Sequence, residues 1–165
     1  MKRTQEKIKD IVEPQDFDEV RNLASDPARS LAAYRFTDAT SDLLARWLDA
    51  LADLPRGRGA ARALAGSRGV GKTHTLAVFG ALAGQEGLRG QVEDAHVATS
   101  ARRLSGRRHM VLRVERGTRA TLAEEMSAAF TRAFGGNEVQ WGTDPAEMLA
   151  VAASRAHDST LVLVI

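Results

Sequence analysis

Eight consecutive residues, Gly66-Ser67-Arg68-Gly69-Val70-Gly71-Lys72-Thr73, match the spacing G-x-x-x-x-G-K-[ST] at every fixed position. The residue types fit one chemistry. Glycines let the backbone wrap so that successive N–H groups converge on phosphate oxygens, and a helix starting at Lys72 adds the partial positive charge of its N-terminus. Lys72 would reach the β- and γ-phosphates of a nucleoside triphosphate, and the Thr73 hydroxyl would ligate Mg²⁺. His74, one residue further on, has no visible catalytic partner and is expected to pack or hydrogen-bond beneath the loop.

The competing reading is a glycine-rich turn that merely starts a helix. Given this chain's usage of Gly, Lys, Ser and Thr, a chance match somewhere has a probability on the order of three in a thousand. Lysine usage points the same way. Of 23 basic residues only four are lysine, and after Lys9 the only one is Lys72. In a chain that otherwise uses arginine, that suits a site needing a compact ammonium. ATP with Mg²⁺ is therefore the expected ligand.

Hydrolysis needs a further carboxylate, at the end of a second buried strand, to hold the metal and orient water. The run Thr160 to Ile165 has the composition of such a strand, but Asp158 stands at its start, the wrong end, and is expected to be a turn residue. The acidic pair would fall beyond Ile165, so the chain reads as an N-terminal piece of a longer ATPase, with turnover expected only of the complete protein.

Other candidates carry weaker chemistry. Tyr34 and Phe36 could stack on adenine, although core packing is at least as good a reading. Arg102, Arg103, Arg107 and Arg108 form a basic cluster without interleaved aromatics, which suits a solvated loop better than a nucleic-acid contact. The histidines and carboxylates show no metal-ligand spacing.

Periodicity supplies the elements that position the loop. Residues 1–12 read as a short charged helix, and 14–36 as irregular because of Pro14 and Pro27. Leu43, Leu44, Trp47, Leu48, Leu51 and Leu54 recur at helical spacing after a cap at Thr37 or Asp38 and stop at Pro55. Ala60–Ala65 is the candidate strand feeding the loop, against the low strand propensity of alanine. A helix follows from Lys72 to Gly84 or Gly87, then a polar linker over 91–108 with room for a short helix. Alternation over His109–Glu115 predicts a half-exposed edge strand. Thr121-Leu122-Ala123-Glu124 is a capping box opening a helix that ends at Gly135, and Asp144-Pro145-Ala146-Glu147 opens another ending near His157. The order predicts an α/β fold with a parallel sheet.

Composition sets the outer bounds. Hydrophobic residues at 44% and charged residues at 27% lie in the range of chains that bury a core. The formal charge is only +2, so nucleic-acid binding gets little support. Cysteine is absent, which excludes disulfides and thiolate metal sites. The charged start has no apolar core of a secretory signal, and the apolar run Leu161–Ile165 falls far short of a membrane span. A soluble cytoplasmic protein without membrane contact is the expectation.

The loop continuing as Lys72-Thr73-His74-Thr75-Leu76, with Tyr34-Arg35-Phe36-Thr37 and the Trp47 helix before it, resembles large bacterial P-loop ATPases of the BREX and phage growth limitation defence systems. The likeness spans roughly residues 16–85 and departs at Arg68 and Val70. It implies a P-loop NTPase core over 58–165, incomplete after the carboxylate-bearing strand, preceded by a helical lead-in over 1–57 with an adenine-contacting segment. It also implies strand order 5-1-4-3-2, with His109–Glu115 at the edge and a strand missing between Ala60–Ala65 and Thr160–Ile165. ATP turnover would then drive a step in anti-phage defence together with other proteins of the system. A nucleotide-dependent switch without turnover and a nucleic-acid-binding regulator with a degenerate loop are the alternatives.

Overall fold

Side-chain caps set where the helices begin. In the computed structural model residues 26–115, 117–135 and 141–165 are described; the helix expected over 1–12 lies outside them. Asp26 accepts from Arg29 N at 3.0 Å and starts α1 (Pro27–Ala32). Pro27 therefore opens a helix inside a stretch expected to be irregular. At the first helical position its missing N–H costs nothing, and its fixed φ already suits the turn. Thr37 and Thr40 cap each other's backbone at the head of α2 (Asp38–Ala52).

Next come α3 (Lys72–Gly84), the short α4 (Glu86–Arg89) and α5 (Ala95–Arg102). The last is the short helix for which the polar stretch 91–108 left room. Its polar residues face outward, while Val97, Ala98, Ala101 and the following Leu104 reach the core. Asp94 caps α5 by accepting from Val97 N at 2.9 Å, and its other oxygen accepts from Ser41 Oγ of α2 at 2.8 Å. The Val97 amide, with Ser41 contributing less, holds the Asp94 carboxyl below its ordinary range. At the far end Arg103 bridges Asp49 and Asp53 of α2, and Arg107 donates to Leu54 O. Half of the basic cluster thus fastens α5 to α2.

Strand β1 (His109–Arg113) is followed by α6 (Leu122–Phe134) and α7 (Pro145–Arg155), and then by β2 (Thr160–Val164). The capping box at Thr121 forms as expected, and Asp144 caps α7 by accepting from Ala146 N at 2.9 Å. The strands pair in parallel, with Val111 beside Val162. The molecule is a mixed α/β chain, mostly helical, with a two-stranded parallel sheet among the described residues.

Helices lie against both faces of the sheet, and β1, an edge strand among the described residues with only Leu112 fully buried, is half-exposed as expected. Met110, Leu112 and Val114 join Met126, Phe130, Met148 and Ala152 beneath α6 and α7. Phe130, Phe134 and Trp141 pack edge-on or tilted there, with centroids 5.0 to 6.5 Å apart. On the opposite face Val111 lies against α3, where a Cβ on Gly84 would meet its Cγ2 at 3.0 Å and one on Gly80 would meet its Cγ1 at 3.5 Å. At Gly84 a side chain would have to push Val111 aside, while at Gly80 the contact is ordinary. Within β2 only Val162 is buried; the strand expected to be enclosed has one strand neighbour among the described residues.

On its outer side α3 packs against α1 and α2. Leu44, Leu48, Val78, Leu82, Val97 and Leu104 share one core, continuous across position 57. At the C-terminus of α3 the buried Arg89 donates Nε to Leu82 O at 2.9 Å and Nη2 to Ala83 O at 3.0 Å. Those carbonyls have no partner within the helix.

Candidate phosphate-binding loop

The loop reaches α3 through two left-handed glycines, Gly69 (φ 84°) and Gly71 (φ 81°), conformations that side chains with a Cβ disfavour. Gly66 is tight for a different reason: a Cβ there would stand 3.3 Å from Val70 Cγ2 and 3.9 Å from Lys72 Cδ. No side chain caps α3, whose N-cap is Gly71. The amides of its first turn are left for an external acceptor.

Lys72 reaches back over this opening. Its Nζ donates to Gly66 O at 2.8 Å and to Ser67 O at 2.7 Å, bringing the two ends of the motif together around one ammonium. Ser67, Arg68, Gly69, Val70 and Thr73 are exposed. Val70, at 61% exposure, is the most exposed large apolar side chain among the described residues.

His74 turns away from the loop. Its Nε2 lies 2.7 Å from Ser30 O, and its ring meets Tyr34 edge-on at 4.9 Å. That is the hydrogen-bonding place beneath the loop expected for it, and only its backbone belongs to the opening of α3. The Tyr34 hydroxyl is 2.9 Å from Thr75 Oγ1, which in turn donates to Gly71 O at 3.1 Å. A chain of contacts thus runs from the segment after α1 to the glycine at which α3 begins. Phe36 packs edge-on to Tyr34 at 5.0 Å, and both rings lie against the helical core.

Sequence reasoning passed over Thr75 and Ser30. The available signal for Thr75 was its position four residues after Gly71, where a buried threonine bonds back to the preceding turn.

The upstream side is different. Residues 59–66 form no strand, and all but the half-buried Leu64 are exposed. The expectation of a strand at Ala60–Ala65 is overturned. Alanine gives little side-chain area to hold a strand, and no described strand lies beside it to take up its backbone groups. Asp158 lies in the turn before β2, as expected.

No group of three or more His, Asp or Glu side chains among the described residues is arranged to hold a metal ion. The hydroxyl-bearing Thr73, the metal ligand expected from the motif, is exposed at the start of α3. Among the described residues no helix is long and apolar enough to cross a membrane.

Fold and site together define a mixed α/β chain with a glycine-rich loop opening onto a buried helix. No protein-family model, curated protein or solved structure matches it.

Proposed function

We propose that this chain binds a magnesium nucleoside triphosphate, ATP in the first instance, through Gly66–Thr73. The observation that carries this reading is the Lys72 ammonium, held by the Gly66 and Ser67 carbonyls across the uncapped start of α3. Carbonyl oxygens there already neutralise part of its charge, and phosphate oxygens are stronger acceptors for it. In this reading Lys72 contacts the β- and γ-phosphates, the amides of Gly69 to His74 surround them, and the exposed Thr73 hydroxyl serves Mg²⁺. The loop and the parallel pair β1–β2 support a P-loop NTPase arrangement, with β1 as its outer strand.

Hydrolysis of the bound triphosphate is a further step of this reading. It requires a carboxylate that positions water, a role not assigned to Asp158 at the opposite end of β2. The setting in bacterial phage defence rests on the resemblance of residues 34–37 and 66–76. Nucleic-acid recognition gains no support from the arginine cluster, since Arg103 and Arg107 are engaged with α2 and Leu54.

Titration with a fluorescent ATP analogue at fixed Mg²⁺ tests the site. Lys72→Ala should weaken binding about ten- to a hundredfold, the equivalent of roughly 1.5–3 kcal/mol for a charge-assisted contact, while the circular dichroism stays unchanged. Thr73→Ala should cost more affinity with Mg²⁺ than with EDTA. Equal binding by wild type and Lys72→Ala would overturn the assignment. Magnesium-dependent phosphate release, abolished by Lys72→Ala, separates an ATPase from a switch without turnover.

A further inference from the structure

The outer edge of β1 has a groove beside it. In the parallel pairing Thr160 N donates to Arg108 O and Val114 N donates to Val164 O, both at 2.8 Å, so the even-numbered residues of β1 turn their backbone toward β2. By alternation, His109, Val111 and Arg113 direct their N–H and C=O groups the other way, where no described strand lies. A groove of about 480 Å³ runs along that edge, and no residue of β2 lines it.

Its walls are small and its rim is charged. Gly80, Ala81 and Gly84 of α3 form one wall, and Ala129 and Ala133 of α6 form the other. Such walls leave room for side chains from both faces of an added strand. Arg113 lies half-buried on the α3 side, its guanidinium 3.8 Å from where a Gly80 Cβ would be, and donates no hydrogen bond to, and forms no ion pair with, any described residue. Burial lowers its pKa, the mark of a cation short of compensation. Arg132 stands on the α6 side, likewise without an ion pair among the described residues, and Glu115 at the rim pairs with neither.

We propose that the outer edge of β1 is a docking site for an extended acidic segment of a partner protein, which adds a strand beside His109–Arg113 and sets carboxylates against Arg113 and Arg132. Main-chain hydrogen bonds supply affinity and the two arginines select charge, as in other cases of strand addition. A second copy of this chain is disfavoured, because pairing β1 with β1 would bring like charges together.

The test uses the 165-residue chain and three labelled eight-residue peptides: one repeating Val-Val-Glu-Glu, which sets carboxylates on both faces of a strand, one with lysine in place of glutamate, and the glutamate peptide N-methylated on alternate residues. Fluorescence anisotropy should show the glutamate peptide binding at least tenfold tighter than either control. Arg113→Glu should reverse the preference between the charged peptides, and Arg132→Glu should weaken glutamate-peptide binding severalfold. Equal binding of the methylated peptide would overturn strand addition, and equal binding of the lysine peptide would overturn the charge assignment. Concentration-dependent dimerisation that excludes the peptide would replace the partner with a second copy. Unfolding curves for both variants, matching wild type, keep a loss of binding from being a loss of fold.

Discussion

The two sides of the glycine-rich loop are built to different standards. Downstream, α3 is enclosed: Val78 and Leu82 are fully buried, β1 presses on Gly80 and Gly84, and Arg89 closes the last turn. Upstream, residues 59–66 pair with no described strand and stay largely exposed. The proposed phosphate site needs its amides fixed, and here all of that fixing comes from the helix side. Helix burial, not strand pairing, is what holds Gly71 and Lys72 in place.

The sharpest way to break that comparison is to damage each side in turn. Leu82→Ala empties a fully buried site and should cost about 2–5 kcal/mol in urea unfolding. Ala63→Asp, in the exposed lead-in, should stay within about 0.5 kcal/mol of wild type. A loss of several kcal/mol for Ala63→Asp would mean that 59–66 is enclosed after all.

A smaller change probes the link between the halves. Tyr34→Phe removes only the hydroxyl that meets Thr75, a net loss of about 0.5–1.5 kcal/mol in stability. Amide exchange should rise at Thr75 and through the first turn of α3, with residues 59–65 exchanging fast before and after. An unchanged first turn would show that the Tyr34–Thr75–Gly71 chain does not steady the loop.

The mildest test is pH. His109 begins β1 with both ring nitrogens buried and without hydrogen-bond partners among the described residues. Burial, then the charges of Arg89 and Arg107, lowers its pKa below the ordinary 6.5. The unfolded chain therefore takes up the proton first, so this contribution to stability is complete above pH 6.5 and declines as pH falls through it. Thermal unfolding between about pH 8 and pH 5 should show that decline, and His109→Gln should flatten it. Acid should loosen the last turn of α3 beside Arg89 and leave 59–65 as it was. A pH profile unaffected by the substitution would remove His109 as its source.

What could be read in the sequence follows from how local each signal is. The caps at Thr37, Thr121 and Asp144 are written in three or four adjacent residues, and they start helices as read. The glycines of the loop are equally local, since left-handed φ at Gly69 and Gly71 depends on little beyond the absence of a side chain. Errors came where tertiary context decides. Helix α5 is legible only as room within a polar stretch until Val97, Ala101 and Leu104 meet α2. Pro27 looks like a breaker until Asp26 makes it a first-turn residue. Ala60–Ala65 was read as a strand from the motif that follows it, against its own propensity, and propensity prevailed. The covering of β1 was hidden as well, because two glycines in a helix give no sign of the valine that will lie on them.

Those two glycines also have a mechanical consequence. With Val111 seated in the notch at Gly80 and Gly84, α3 is keyed to the sheet near one end while Lys72 faces the loop at the other, about 12–18 Å away along a thirteen-residue helix. A straight helix fixed at a key acts as a rigid lever. Any tilt imposed at the lysine end is delivered at the notch as a shift of strand against helix, beside the same edge of β1 that lies open.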